Sequence, residues 1–216
     1  GENESYLFQL IREDSVEEFV TFVNRTNLNI STKIKRSIFE TNYFLIMNEP
    51  TLIEYAAFFG SFQIFKYLQL NNVELSPSLW FYVIHGKNAE LIHLLEDEKV
   101  DGPNESYENC LFEAIKCHHN DIANYFEENL ILNVPKSKNY KNKVESSVVN
   151  YSNYSYFLNG FQKNTTFFDL CKYKYSKIVD LYLQNQKNEI TLKTISTIRF
   201  NWILKINYLL IQFQFL

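Results

Sequence analysis

The sequence predicts an all-α protein built from short helix pairs, on three observations. Glycine and proline are scarce, with 5 and 4 in 216 residues, whereas a chain of short strands needs turn residues every 8–12 positions or so. Apolar residues make up 46% of the chain, which is enough to bury a core. Four segments share one pattern, an N-cap residue followed by two apolar stripes at helical spacing.

The clearest of these segments is TLIEYAAFFGSFQIFKYL, residues 51–68. Thr51 precedes the first stripe and Glu54 follows three positions later, which is the spacing of a capping box. Gly60 then interrupts the apolar pattern before a second stripe begins at Ile64. The segment therefore predicts a helix, a tight turn and a second helix.

The same frame recurs at three further positions, and this internal repetition outweighs any local motif. The N-cap positions are Thr51, Ser78, Asn109 and Thr165. Thirteen residues after each of them stands an aliphatic residue, namely Ile64, Leu91, Ile122 and Ile178. Each of the four cap residues is expected to accept a hydrogen bond from the first turn of its helix.

The first segment resembles the ankyrin repeat. The residues that match the family's Thr-Pro-Leu-His-x-Ala-Ala, Gly and second-helix pattern are Thr51, Ile53, Ala56, Ala57, Gly60, Ile64 and Leu68. Leu52 and Glu54 stand where the family has Pro and His. The sequence of this segment also resembles a group of ankyrin proteins that is expanded in parasitic protists and carries a domain of unknown function. The resemblance implies a helix-pair solenoid that binds another protein and is not an enzyme.

The spacing of the units predicts short or missing β-hairpin fingers and one insertion. The caps lie 27, 31 and 56 residues apart, against about 33 for an ordinary ankyrin unit. The expected organisation is a helical cap region at 1–48, three repeats at 49–132, a polar insertion loop at 133–164, a divergent repeat at 165–190 and a hydrophobic helix at 191–216. Within the cap region we expect a helix pair over 4–24 and a further helix over 33–46. Asn72 is expected to end a second helix in the left-handed conformation.

The resemblance also implies where a partner would bind. The two positions before each turn end the first helix on the groove side, and there they vary because they face the partner. The candidate partner-binding residues are Phe58, Phe59, His85, Lys116, Lys172 and Tyr173, with Asp101 and Asn104 from a finger at 101–106. The alternative for the two Phe side chains is packing against a neighbouring pair or under the helix at 33–46. A groove of this composition favours an apolar or acidic segment.

Cysteine and histidine provide the main alternative to this function. Cys110, Cys117, His118 and His119 lie close together in the chain, so a metal-binding or enzymatic protein is a second hypothesis. However, a full helix would separate the two sulfur atoms by about 10 Å, which is too far for one zinc ion. The sequence also has no phosphate loop and no recognisable nucleophile–base set. We therefore expect no metal, no cofactor and no catalytic residue.

The remaining hypotheses concern membranes, nucleic acid and cell compartment. The apolar segment 195–216 suggests a membrane-surface contact or self-association, although Arg199 and Lys205 interrupt it as a membrane span. A net charge of −4 does not suggest a nucleic-acid partner. Three cysteines without framework spacing and the lack of a signal-peptide pattern favour a reducing, cytoplasmic location.

Overall fold

The structure is a computed structural model that describes residues 5–103, 106–132, 136–153 and 155–156. These residues fall within one compact unit, Gly1–Phe157. The described part contains helices and no strand, which confirms the expected all-α class at that level. The helices are α1 (Tyr6–Arg12), α2 (Val16–Thr26), α3 (Tyr43–Asn48), α4 (Leu52–Phe59), α5 (Phe62–Leu70), α6 (Leu79–Gly86), α7 (Ala89–Asp97), α8 (Glu108–Lys116), α9 (Asn120–Tyr125) and α10 (Tyr140–Asn150). A π-helical turn, Phe126–Leu130, continues α9.

Four helix pairs, α1/α2, α4/α5, α6/α7 and α8/α9, share one turn geometry. Each turn contains one residue with a left-handed backbone, and these residues are Asp14, Gly60, Lys87 and His118, with φ of 52°, 70°, 53° and 59°. A left-handed residue cannot continue the helix, so the chain leaves its axis at that point. A second left-handed residue follows the last helix of the first three pairs, at Asn27, Asn72 and Lys99. The helix pair expected in the first residues and the ends expected at Gly60 and Asn72 are therefore confirmed.

The first helices of consecutive pairs pack side by side. α1 contacts α4, α4 contacts α6, α6 contacts α8, and α8 contacts α10. α4 and α6 approach closely at Gly86, where an added Cβ would lie 2.1 Å from the carbonyl oxygen of Ala57. The largest side chains buried between the helices are Trp80, Tyr55, Phe19, Phe65 and Phe126.

Hydrogen bonds join each turn after the first to the pair before it. In every case a side chain that directly follows the left-handed residue donates to a main-chain carbonyl near the end of the preceding first helix. The bonds are Ser61 Oγ to Ile11 O, Asn88 Nδ2 to Gly60 O (3.0 Å), His119 Nδ1 to Ile84 O (2.7 Å) and Asn153 Nδ2 to Ile115 O (2.8 Å). The pairs are thus held in a fixed register as well as packed.

The insertion at 133–164 is not a simple loop, and that prediction was wrong. Residues Tyr140–Asn150 form α10, which packs on α8. Its buried residues Tyr140, Val144 and Val148 are spaced by four, so a helical stripe is present but is hidden among Lys, Asn and Ser. Ser152 then has φ of 56° and Asn153 bonds back to α8, as in the three turns before it. α10 therefore continues the row formed by α1, α4, α6 and α8.

The helix expected over 33–46 is also wrong in its extent. Only Tyr43–Asn48 is helical, and Asn42 caps it by accepting from the main-chain N–H groups of Phe44 and Leu45. The first residues of the expected helix instead pair with the chain that enters α4. Lys33 forms an isolated antiparallel bridge with Thr51, and Ile34 N–H donates to Pro50 O at 2.7 Å.

The expected N-caps are correct at one of the three described positions. Thr51 forms the complete capping box with Glu54. Ser78 occupies the cap position of α6 but donates its hydroxyl to Glu54 of the preceding pair instead. Asn109 is not a cap, because α8 begins one residue earlier and the Ser106 hydroxyl accepts from Glu108 N–H.

Several expectations fall on residues outside the described part. These are the cap at Thr165, the repeat at 165–190, the C-terminal helix at 191–216, and residues 104–105 of the finger at 101–106. Among the helices that the structure describes, none combines the length and the apolar character needed to cross a bilayer.

Candidate functional site

A row of side chains lies at the ends of the first helices, just before each left-handed turn residue. We call Phe58, Phe59, His85, Lys116 and Tyr151 the helix-end face. Phe58 and Phe59 close α4, His85 stands near the end of α6, and Lys116 closes α8. Tyr151 directly precedes Ser152, so it holds the equivalent place after α10.

The aromatic half of this face is continuous across two helix pairs. The ring centroid of Phe58 lies 5.1 Å from that of Phe59 and 5.0 Å from that of His85, on which it stacks. Phe44 from α3 joins them, at 6.0 Å from Phe58 and 4.3 Å from His85. Phe58 therefore packs as the alternative expectation described. Phe59 contacts Phe58 and Tyr55 of its own helix and is half-buried.

The polar half of the face centres on Glu113 of α8. Its Oε1 lies 3.0 Å from His85 Nε2, and Lys116 Nζ donates to both of its oxygens at 2.8 and 3.1 Å. Burial alone would raise the pKa of Glu113, but the hydrogen bonds and charges of His85 and Lys116 outweigh it and lower that pKa. Lys116 Nζ also lies 5.9 Å from the ring centroid of Tyr151, which extends the contacts to the end of α10.

Cys117 completes a compact group with the two residues just described. Its Sγ lies 3.6 Å from His85 Nδ1, 3.8 Å from His85 Nε2 and 4.0 Å from Glu113 Oε1. We call His85, Glu113 and Cys117 the His–Glu–Cys cluster; their ligand atoms all lie within 4.8 Å of one another. His85 and Glu113 expose only 16% and 14% of their side chains.

The cluster is not arranged as an activated cysteine nucleophile. Burial and the Glu113 charge raise the pKa of Cys117 to about 11, against a smaller lowering by Lys116. The group is therefore a thiol at neutral pH, whereas nucleophilic attack requires a thiolate. The sulfur is also almost equally distant from both ring nitrogens, so it does not lie along one N–H direction.

The Cys/His group suggested by the sequence does not converge in space. Cys110 is fully buried within α8, and burial raises the pKa of its thiol. His119 donates to Ile84 O, and His118 Nε2 lies 2.9 Å from Tyr151 O, so both bind main-chain carbonyls. Of the four residues, only Cys117 belongs to the cluster.

The structure brings four of the eight candidate partner-binding residues together. Phe58, Phe59, His85 and Lys116 share the helix-end face. Asp101 is exposed in the segment after α7. Asn104, Lys172 and Tyr173 lie outside the described residues.

Three residues near this face were missed in the sequence. Glu113 precedes Lys116 by one helical turn, and that spacing was a usable signal for an ion pair. Phe44 had no such signal, because it reaches the face from a segment without a repeat partner. Tyr151 was hidden because the helix before it was not recognised.

Comparison with known proteins adds no further assignment. No protein-family model, curated protein or solved structure is significantly similar to this chain.

Proposed function

We propose that the chain is a non-catalytic protein-interaction module of ankyrin type that binds a partner segment along the helix-end face. The observation that carries this proposal is the continuity of that face. Contacts run from Phe58 through His85 and Glu113 to Lys116 and Tyr151. Stacked helix pairs with one shared face are how repeat proteins present an extended binding surface.

The spacing of the turns supports the ankyrin-type assignment. Gly60, Lys87, His118 and Ser152 are 27, 31 and 34 residues apart, close to the period of about 33 residues in ankyrin units. The stretches between the pairs contain no strand in the described residues, in line with fingers that are shortened or missing.

The aromatic half of the face is the stronger binding feature. Lys116 is already paired with Glu113, so its charge is largely neutralised for an incoming acidic group. The ring of Phe59 contacts the rings of Tyr55 and Phe58 in its own helix and no ring of the next helix pair. A half-buried aromatic side chain at the edge of an aromatic group is typical of an interface anchor. We therefore propose an apolar side chain of the partner against Phe59.

The test compares two truncations of similar size. Phe59→Ala removes the proposed anchor, and Leu70→Ala removes an exposed apolar side chain at the end of α5 that is 76% accessible. Partner capture from native lysate is quantified for both variants and the unmodified chain. Phe59→Ala is expected to weaken capture of the same partner by about thirtyfold, the equivalent of about 2 kcal/mol. Leu70→Ala is expected to leave it unchanged.

Circular dichroism and the melting midpoint serve as fold controls. If Phe59→Ala binds the partner as well as the unmodified chain does, the face is not the interface. If it unfolds the protein, Phe59 is a core residue and the proposed anchor is lost.

A further inference from the structure

We propose that the His–Glu–Cys cluster is a binding site for one divalent transition-metal ion of the zinc class. The ligands are His85 Nε2, Glu113 Oε1 and Cys117 Sγ. The proposal does not rest on the protein-binding function, since it concerns only these three side chains and the ion. It departs from the expectation of no metal site, which considered Cys117 with Cys110 and not with the preceding helix pair.

The distances within the cluster suit a metal of this size. The three ligand atoms form a triangle with sides of 3.0, 3.8 and 4.0 Å. A point equally distant from all three lies about 2.1 Å from each, and zinc binds nitrogen, oxygen and sulfur ligands at about 2.0–2.3 Å. No movement of the main chain is needed to bring the ligands within reach of one ion.

The donor types favour a zinc-class ion over magnesium or calcium. Thiolate and imidazole are ligands for borderline and soft metals, whereas magnesium and calcium prefer sites made of oxygen. Three protein ligands leave a fourth tetrahedral position for water or for an outside group.

The fold holds the ligands in place from two adjacent pairs. Glu113 and Cys117 are four residues apart at the end of α8, so they lie on one helix face. The ring of His85 packs against both Phe44 and Phe58, at centroid distances of 4.3 and 5.0 Å. A ligand set fixed by packing loses little freedom when an ion binds.

Metal binding requires three local changes. The thiol proton of Cys117 leaves to solvent, and the imidazole proton moves from Nε2 to Nδ1 so that Nε2 can bind the ion. Lys116 must also release Glu113. The lysine side chain can move away because 39% of it is exposed to solvent. The resulting site carries a divalent ion, one thiolate and one carboxylate, so its charges balance.

The test is a cobalt titration of the full chain after treatment with a chelator. Cobalt(II) substitutes for zinc and gives a thiolate-to-metal charge-transfer absorption only when sulfur is a ligand. We expect one equivalent to bind with this absorption, and one equivalent of zinc to abolish it. Cys117→Ala should lose the absorption, and His85→Ala should weaken binding at least about tenfold.

Two variants serve as matched controls. His93→Ala alters the exposed His93–Glu96 pair, which has nearly the same nitrogen–oxygen distance, 3.1 Å, but no cysteine. Cys110→Ala removes the other described cysteine. Both should bind cobalt like the unmodified chain.

A further variant strengthens the site instead of removing a ligand. Lys116→Gln eliminates the cation that competes for Glu113, so zinc should bind several-fold more tightly. This arm remains informative if a ligand variant fails to fold. The proposal is overturned if the unmodified chain shows no sulfur-to-cobalt absorption, if Cys117→Ala keeps it, or if Lys116→Gln weakens binding.

Discussion

Gly86 and Lys87 are neighbours in the chain, but Gly86 is limited by space and Lys87 by its backbone angle. Gly86 ends α6 where an added Cβ would meet the Ala57 carbonyl oxygen at 2.1 Å. Lys87 adopts φ of 53°, a conformation that costs a residue with a side chain about 1–2 kcal/mol. The residue that needs glycine for space is therefore not the one that needs it for its backbone angle.

This pair gives the first prediction. Gly86→Ala should lower the free energy of unfolding by about 2–4 kcal/mol, because α4 and α6 must separate to admit a methyl group. Lys87→Gly should raise it by about 0.5–1 kcal/mol by removing backbone strain at a helix end. Urea unfolding midpoints measure both changes. An unchanged midpoint for Gly86→Ala would mean that α4 and α6 do not approach each other this closely.

Thr51 gives a second prediction at the same scale. Its hydroxyl accepts from Glu54 N–H, and Glu54 Oε2 accepts from Thr51 N–H at 2.7 Å. Thr51→Ala should cost about 1 kcal/mol of unfolding free energy. Thr21→Ala is the matched control, since Thr21 is exposed within α2 and bonds only to its own helix. Equal melting midpoints for the two variants would contradict the capping role.

At the residue scale, hydrogen bonds between residues close together in the chain could be predicted from the sequence. Contacts of such residues with distant parts of the chain could not. The Thr51 capping box depends on residues three apart, so the sequence contained it. Ser78 looks equivalent in sequence, but its hydroxyl donates to Glu54 of another pair, 24 residues away. Cys117 likewise joins His85 across 32 residues, a contact that no linear spacing indicates.

α10 shows how an element can escape a sequence pattern. Its buried stripe consists of three residues in a segment that is otherwise polar. Contacts with its neighbours hold it in place: Tyr140, its first residue, donates its hydroxyl to Glu127 at 3.1 Å, and Tyr156, which follows the turn after α10, donates to the same carboxylate at 2.8 Å. Most helical stability in proteins comes from such packing and not from propensity, which is why composition alone suggested a loop.

The third prediction tests whether α10 is part of the stack. Asn153 is fully buried and donates to Ile115 O at 2.8 Å and to Asn120 Oδ1 at 2.7 Å. Asn153→Ala should lower the unfolding free energy by about 1–3 kcal/mol, because it removes both of these hydrogen bonds from a buried site. Asn150→Ala, at the exposed end of the same helix, should change it by less than about 0.5 kcal/mol. If the two variants are equally stable, this turn does not bond to α8.

At the scale of the molecule, the turn geometry is the feature that organises the chain. A left-handed residue lies in each turn, at Asp14, Gly60, Lys87, His118 and Ser152. In the last four of these turns, the next residue donates a side-chain hydrogen bond to an earlier unit. Only one of the five is glycine, so a search for the glycine turn alone would find one unit. The frame of cap and aliphatic residues predicted the three central pairs correctly, because apolar periodicity survives where the turn residue changes.

The helix-end face follows from this arrangement, and its use as a binding surface is the central claim. The most direct measurement is photo-crosslinking of the native partner from a photoreactive phenylalanine analogue at position 59, compared with the same analogue at position 70. Position 59 lies on the helix-end face, and Leu70 is exposed at the end of α5. The account predicts a partner-specific crosslink from position 59 and none from position 70. A crosslink from position 70 alone, or equal yields from both positions, would contradict it.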